Sequence, residues 1–431
     1  MLAFCVLTWG LLCGVVFWRC RRPQMDSVGL PLAYVALLSV GHCGAALELL
    51  PWFDPSRDPY LAQVGITRAD TIAGFAASTL GLGAFCLGSW FLDGLPYVRR
   101  ARRRGAAVPV RSGGRNLVLI GVLSYFVLSR ARWIPGSITS AGGNLAVVGL
   151  CLLAGSWRRR GIASRSRLIV GALSFPLITA ASAGFIGFGV TALVQAGSFF
   201  VRVVRLRWWS LAVAPVLVWL GLSVYVTYMA ARNDIRKQVW GGSGLTRRVE
   251  TFARVFAGAQ LFDPWNAEHL YAIAGRLNQN GLVGRAIRFM EQEKTEPAYG
   301  ETLAIAAVAW IPRVLWPGKP VFGGSGNLVS KYTGMTFDKD TAVGVGNVLE
   351  SYINFGMAGI GLGFFVFGAI VRHLDFRAGA ALRCGRTWDY VFYHLVGISA
   401  LQPGNTWAEA VGSCAAAAVL VAVLKRAGIQ A

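Results

Sequence analysis

Residues 158–207 read RRRGIASRSRLIVGALSFPLITAASAGFIGFGVTALVQAGSFFVRVVRLR. The apolar run at 168–201 has arginines at both ends: Arg158, Arg159, Arg160, Arg165 and Arg167 before it, Arg202, Arg205 and Arg207 after it. Arginine and lysine collect in the cytoplasmic loops of membrane proteins, so a run flanked by basic clusters enters the membrane and returns. One crossing takes about 20 residues, and this run has 34, interrupted by Pro176 and Gly184. It is predicted to form two short helices.

Outward from this stretch, further apolar runs lie at 2–18, 30–50, 69–92, 116–132, 142–157, 208–229, 343–371, 389–402 and 408–424. With the double run they make eleven spans. The 431 residues are 55% hydrophobic and 14% charged, with mean hydropathy +0.52. Soluble domains average about 25% charged residues, so this chain has too few to coat a water-facing surface. The fold class is therefore all-α, polytopic and membrane-bound, with about 11 transmembrane helices. The first run has no basic segment before it and is followed by Arg19, Arg21 and Arg22. That order is the reverse of a secretory signal and places the N-terminus outside and the C-terminus (Lys425, Arg426) inside.

The formal charge of +22 divides unequally under this topology. The predicted cytoplasmic segments hold 24 Lys+Arg against 4 Asp+Glu (Asp26, Asp93, Asp375, Asp389), and everything else holds 18 against 16. The excess is an orientation signal and calls for no nucleic-acid partner. The eight cysteines (Cys5, Cys13, Cys20, Cys43, Cys86, Cys151, Cys384, Cys414) lie in or beside apolar runs, with no C-x-x-C pair. They read as small buried hydrophobes.

Three regions follow: an N-terminal transmembrane bundle at 1–229, an extracytoplasmic loop domain at 230–342, and C-terminal transmembrane helices at 343–431. The loop is too long to be a plain connector. It holds 14 basic and 10 acidic residues and one histidine, His269, but no cysteine. Asn266 to Met290 reads as amphipathic helix broken near Gly281 and Gly284, and 301–316 as a short helix on or dipping into the outer leaflet, ended by Pro312 and Pro317. The shorter outer connection at 51–68, with Trp52, Phe53, Asp54, Arg57 and Asp58, reads best as an aromatic belt with solvated charges.

The chain has no phosphate loop of the G-x-x-x-x-G-K-[ST] type and no H-E-x-x-H. One loop histidine cannot build a histidine-rich metal centre, so no metal or cofactor is expected. Gly241-Gly242-Ser243-Gly244 and Gly323-Gly324-Ser325-Gly326 lack the second glycine of a nucleophile elbow. Arginine with scattered carboxylates remains. Arg232 and Arg236 leave the run at 208–229, Arg276 and Arg285 lie in the helical stretch, and Arg313 and Lys319 flank Trp316-Pro317. Arginine binds phosphate bidentately and stays charged when partly desolvated, so a membrane-anchored phosphate or diphosphate suits Arg232, Arg276, Arg313 and Lys319. For each of them a snorkelling side chain or surface ion pair is the competing reading. Glu350, about seven residues into the run after the loop, is costly there unless it faces a cavity or partner. Glu350, Glu268 and His269 are the candidates for a general base, and an ion pair with a loop arginine is the alternative for Glu350.

Residues 311–320, Ile-Pro-Arg-Val-Leu-Trp-Pro-Gly-Lys-Pro, resemble the I-P-x-x-L-W-P-x-[KR]-P stretch of bacterial oligosaccharide repeat-unit polymerases of the O-antigen (Wzy) type. The glycine-rich segment Tyr352-Ile353-Asn354-Phe355-Gly356-Met357-Ala358-Gly359 and the position of Arg232 are also similar to that family. Residue-level likeness is confined to roughly 300–360. Many members carry an S-R or T-R pair where this chain has Ala181-Ser182-Ala183-Gly184, so no role of that arginine transfers. The resemblance implies a membrane glycosyltransferase C architecture in the cytoplasmic (inner) membrane. It implies undecaprenyl-diphosphate-linked oligosaccharides as substrates, membrane lipid as surroundings and a chain-length regulator protein as partner. A glycan ligase would have the same layout. A lipid or polysaccharide transporter would place polar groups at the bilayer midplane in repeated halves, and no internal repeat is apparent.

The topology has a direct test. A reporter active only outside the cytoplasm should work when fused after Gly242 and fail when fused after Arg426, and the reverse result would invert the assignment.

Overall fold

A computed structural model describes residues 1–430 apart from 23–24, 58–61, 63, 97, 99–112, 129–135, 156–160, 205–208, 313–314, 320–324 and 338–342. Among the described residues the chain is helical, with no strand. The basic clusters at 99–111, 158–160 and 205–207 lie outside the described residues.

Every predicted apolar run contains a helix: α1 (Leu2–Arg21), α2 (Leu30–His42, continued by a 3-10 segment Cys43–Leu49), α3 (Arg68–Gly94), α4 (Gly114–Leu128), α5 (Gly136–Ala154), α6 (Ile162–Ala183), α7 (Gly187–Val203), α8 (Trp209–Trp240), then α14 (Asn347–Arg383), α15 (Thr387–Ala400) and α16 (Trp407–Arg426). Eight of the apolar helices are long and apolar enough to cross a membrane. The chain is a polytopic membrane protein. Between α8 and α14 lie α9 (Leu245–Ala257), α10 (Ala267–Ala274), α11 (Asn280–Glu291), α12 (Glu301–Val308) and α13 (Ser325–Thr333).

The run at 168–201 divides as expected, and Gly184 makes the break. It closes α6 in the left-handed region (φ 76), while Pro176 stays inside α6. Other boundaries differ from the sequence reading. α8 continues to Trp240, so Arg232 and Arg236 stand on a helix and not in a loop. The amphipathic stretch breaks at 275–279, and Gly281 and Gly284 lie inside α11. Their lack of a side chain serves close packing: a Cβ on Gly284 would strike the Asp70 carbonyl, and one on Gly281 would strike Ile66. Of 301–316, only Glu301–Val308 is α-helical.

α3 is the central helix. Gly74, Gly81 and Gly88 recur every seven residues on one of its stripes. A Cβ on Gly74 would meet the Asn280 carbonyl of α11, while Gly81 and Gly88 lie against Ile360, Phe364 and Phe365 of α14. Lipid offers helices no hydrophobic reason to associate, so small residues that permit close contact decide the pairing. One stripe thereby takes a loop helix on its N-terminal half and a spanning helix on its C-terminal half.

At the predicted cytoplasmic end, buried and half-buried ion pairs join α1, α3, α14 and the segment before α2. Asp93 pairs with Arg19 (2.9 Å) and Arg372 (2.8 Å), Arg372 with Asp375 (2.6 Å), and Asp26 with Arg383 (2.9 Å). Asp375 Oδ1 also accepts the N–H groups of Val28, Gly29 and Leu30 at 2.8, 2.9 and 3.1 Å. Gly29 caps α2 and Leu30 opens it, so their donors have no partner within the helix, and a carboxylate there also suits the helix dipole.

Removing one member of a buried, hydrogen-bonded ion pair costs about 3–5 kcal/mol. Asp375→Ala should therefore lower the unfolding temperature in detergent sharply. Asp389→Ala, whose ion pair with Arg386 is largely exposed, should leave it nearly unchanged.

Candidate functional site

The site is built on the outer part of α8. Tyr225, Tyr228, Arg232 and Arg236 follow at i, i+3, i+7 and i+11, a spacing that places them along one helical face. A second row, Trp219, Ser223 and Thr227 at four-residue spacing, binds an extended segment of the loop domain. Trp219 Nε1 donates to the Phe262 carbonyl (2.8 Å) and the Phe262 N–H donates to Ser223 Oγ (2.8 Å). Thr227 Oγ1 accepts the Gln260 N–H (3.1 Å) and donates to the Gln260 carbonyl (3.3 Å).

The turn between α6 and α7 closes the other side. Tyr228 donates to the Gly184 carbonyl (2.9 Å). The Arg236 guanidinium lies 4.5 Å from the Phe185 ring centre and 5.2 Å from that of Trp240. Arg248 of α9 donates to the carbonyls of Ser243 (2.8 Å), Val239 (3.2 Å) and Ala181 (3.3 Å). Two loop-side arginines thus reach the Ala181–Gly184 turn, which carries no arginine of its own.

α10 brings the third cation of the site. Asn266 caps it by accepting the Glu268 N–H (2.9 Å), and Arg276 follows two residues past its end. The charge of Arg276 acts on both Arg232 and Arg236, and that of Arg236 acts on Arg232. The Tyr225 phenol interacts with Arg232 and Arg276. Arg232 and Arg236 are half-buried and Arg276 is exposed. Among the described residues Arg232 makes no hydrogen bond or ion pair. Asp234, the carboxylate nearest to it in sequence, is exposed and faces Lys237 at 4.0 Å. Three guanidiniums gathered in one place can hold a multiply charged anion, and their flat forks match phosphate oxygens.

The outer connection after α2 leans on this assembly and does more than belt the membrane. Trp52 stacks on Trp265 (ring centres 5.9 Å apart) and donates to the Pro264 carbonyl (2.9 Å), while Phe53 meets Tyr271 of α10. Asp54 and Arg57 remain at the surface, and Asp58 lies outside the described residues. Ser56 donates from its hydroxyl (2.6 Å) and N–H (3.0 Å) to Asp54, which holds that carboxyl below the usual carboxylate range; Arg57 adds an exposed ion pair.

The remaining candidates lie apart from the arginines in role. Glu350 is 0% exposed, and its Oε2 accepts the Trp407 N–H (2.6 Å) at the start of α16. Around it, α14 is broken at Phe355 and Gly356. The Ala298 N–H occupies the Ile353 carbonyl (2.8 Å), and Asn354 bridges the Gly300 N–H (3.0 Å) and Thr302 Oγ1 (2.6 Å). A base must reach the proton it removes, and Glu350 is enclosed as a helix cap. His269 is buried with both ring nitrogens in hydrogen bonds, to Asp263 N–H and Gln260 Oε1. Glu268, in the first turn of α10, is exposed. Lys319 folds onto its own turn, donating to the carbonyls of Ala309 (2.8 Å) and Ile311 (2.9 Å). Arg313 lies outside the described residues.

Of the sequence candidates, then, the fold brings Arg232 and Arg276 together. Arg236, Tyr225 and Tyr228 complete the cluster, and their 3-4-4 spacing was the signal for it.

A cap and a base respond differently to substitution. Glu350→Gln keeps an oxygen for the Trp407 N–H and should preserve stability and activity. Glu350→Ala should cost about 1–2 kcal/mol, the usual loss for a helix cap, seen as a lower unfolding temperature. Inactive but fully stable Glu350→Gln protein would return Glu350 to the list of bases.

No family model matches this chain, and no curated protein or solved structure matches it either.

Proposed function

We propose that this protein is a membrane glycosyltransferase that joins undecaprenyl-diphosphate-linked oligosaccharide repeat units into a surface polysaccharide. The observation that carries the reading is the convergence of Arg232, Arg236 and Arg276 at the outer end of α8, with Arg232 uncompensated. The likeness of 311–320 to the Wzy-type motif supports it. In this reading α1–α8 and α14–α16 are eleven spans of the cytoplasmic membrane with the N-terminus outside. The loop domain is extracytoplasmic, and the architecture is of the glycosyltransferase C type.

The chemistry follows from the leaving group. The bond between the donor's anomeric carbon and the lipid diphosphate breaks, and the diphosphate departs with the electron pair. The hydroxyl of a second lipid-linked repeat forms the new glycosidic bond and gives up its proton. A departing diphosphate needs its growing charge neutralised more than it needs a proton, and preorganised guanidiniums supply that. Glu268 is the proton acceptor among the three candidate bases that is exposed to solvent.

The test is reconstitution with purified lipid-linked repeat units, for which a ladder of lengthened products is expected. Losing one such preorganised electrostatic partner typically costs about 10²–10³ in turnover, so Arg232→Ala and Arg276→Ala should each erase the ladder while leaving the unfolding temperature unchanged. Transfer of an intact glycan to a different acceptor, with no ladder, would identify a ligase. Movement of the lipid-linked glycan across vesicles without covalent change would identify a transporter.

A further inference from the structure

His269 is 8% exposed and fixed at both ring nitrogens. Nδ1 lies 3.1 Å from the Asp263 backbone nitrogen. That N–H can only donate, so Nδ1 carries the lone pair and Nε2 carries the proton. Nε2–H then donates to Gln260 Oε1 at 3.1 Å. Gln260 is bound to α8 through both its N–H and its carbonyl by Thr227, five residues before Arg232. The imidazole therefore closes a chain of hydrogen bonds from α10 to the segment of α8 that carries the arginine cluster.

The far side of Arg276 is fixed as well. The Gly44 N–H donates to the Leu277 carbonyl (3.2 Å), and the Gln279 N–H donates to the Gly41 carbonyl (2.8 Å). Arg276 thus lies between the His269 attachment before it and these two after it. α10 has eight residues, too few to be stable by itself, so its position depends on such contacts. Like charges repel, and guanidiniums that must act on one anion are more effective when their separation is set before it arrives.

From this geometry we propose that His269 is a positioning residue: through Gln260 it holds Arg276 beside Arg232, and so sets the affinity for a diphosphate ligand that it never touches. The inference rests on reading the arginine cluster as a diphosphate site.

The experiment titrates farnesyl diphosphate into the full-length protein in lipid nanodiscs. Each tenfold change in affinity corresponds to about 1.4 kcal/mol, and Arg276→Ala and His269→Leu should each weaken binding by about that factor or more. The double variant should bind no worse than Arg276→Ala alone, because coupled residues are non-additive. His269→Gln places an amide N–H where Nε2–H stands, can donate to Gln260 Oε1, and should recover most of the affinity. Unchanged affinity in His269→Leu, a further drop in the double variant, or a loss in His269→Gln as large as in His269→Leu would each overturn the inference. Unchanged affinity in Arg276→Ala would instead overturn the diphosphate reading of the cluster itself. If His269→Leu does not fold, Gln260→Ala cuts the same link one bond further on, and the same expectations apply.

Discussion

A helix end buried away from water leaves backbone N–H and C=O groups unmet, at a cost of several kcal/mol each. Much of this structure is arranged around that cost. The first N–H groups of α2 are taken by Asp375 from α14, a partner distant in sequence. At its other end the carbonyls of Gly41 and His42 are taken by the Gln279 N–H and Asn280 Nδ2. The first N–H of α16 is taken by Glu350. The Ile353 carbonyl, released where α14 breaks, is taken by Ala298. Each solution ties a helix end to a distant segment, so the devices that satisfy the backbone also determine which helices are neighbours.

The same contacts join the loop domain to the bundle. Asn280 is wholly buried, within hydrogen-bond distance of His42 (2.7 Å) and Ser78 (2.9 Å), at the point where Gly74 of α3 admits α11. The segment before it runs back through Arg276 to α10, and α10 reaches α8 through Gln260. The arginine cluster is therefore suspended between the centre of the bundle and one peripheral helix.

The positions of the apolar helices were legible in the sequence, including the division near Gly184, because hydropathy and basic clusters report directly on burial in lipid and on sidedness. Two readings failed for identifiable reasons. Hydropathy stops at the first charge, so α8 was ended at 229 although its charged later turns remain helical. Glycine reads as a helix breaker in isolation, whereas Gly281 and Gly284 are there so that α11 can approach Ile66 and Asp70. Glu350 was read as functional because a carboxylate in a span is expensive; the structure adds a partner for it, a backbone N–H 57 residues later, that leaves no trace in local sequence. The pairing of Arg232 with Arg276 could be guessed from charge type alone, but the clasp between His269 and Gln260 depends on tertiary contact.

α8 differs from its neighbours in one respect. From 212 to 221 every residue is exposed, while Val226, Thr227, Tyr228, Ile235 and Val239 farther along are buried. It is, mechanically, a beam clamped along its later part by the Trp219, Ser223, Thr227 and Tyr228 contacts and by Arg248, while the turns before Trp219 are exposed. The arginines stand at and beyond the clamp. Thickening or thinning of the bilayer around the free portion would bend that portion while leaving the spacing of the cations unchanged.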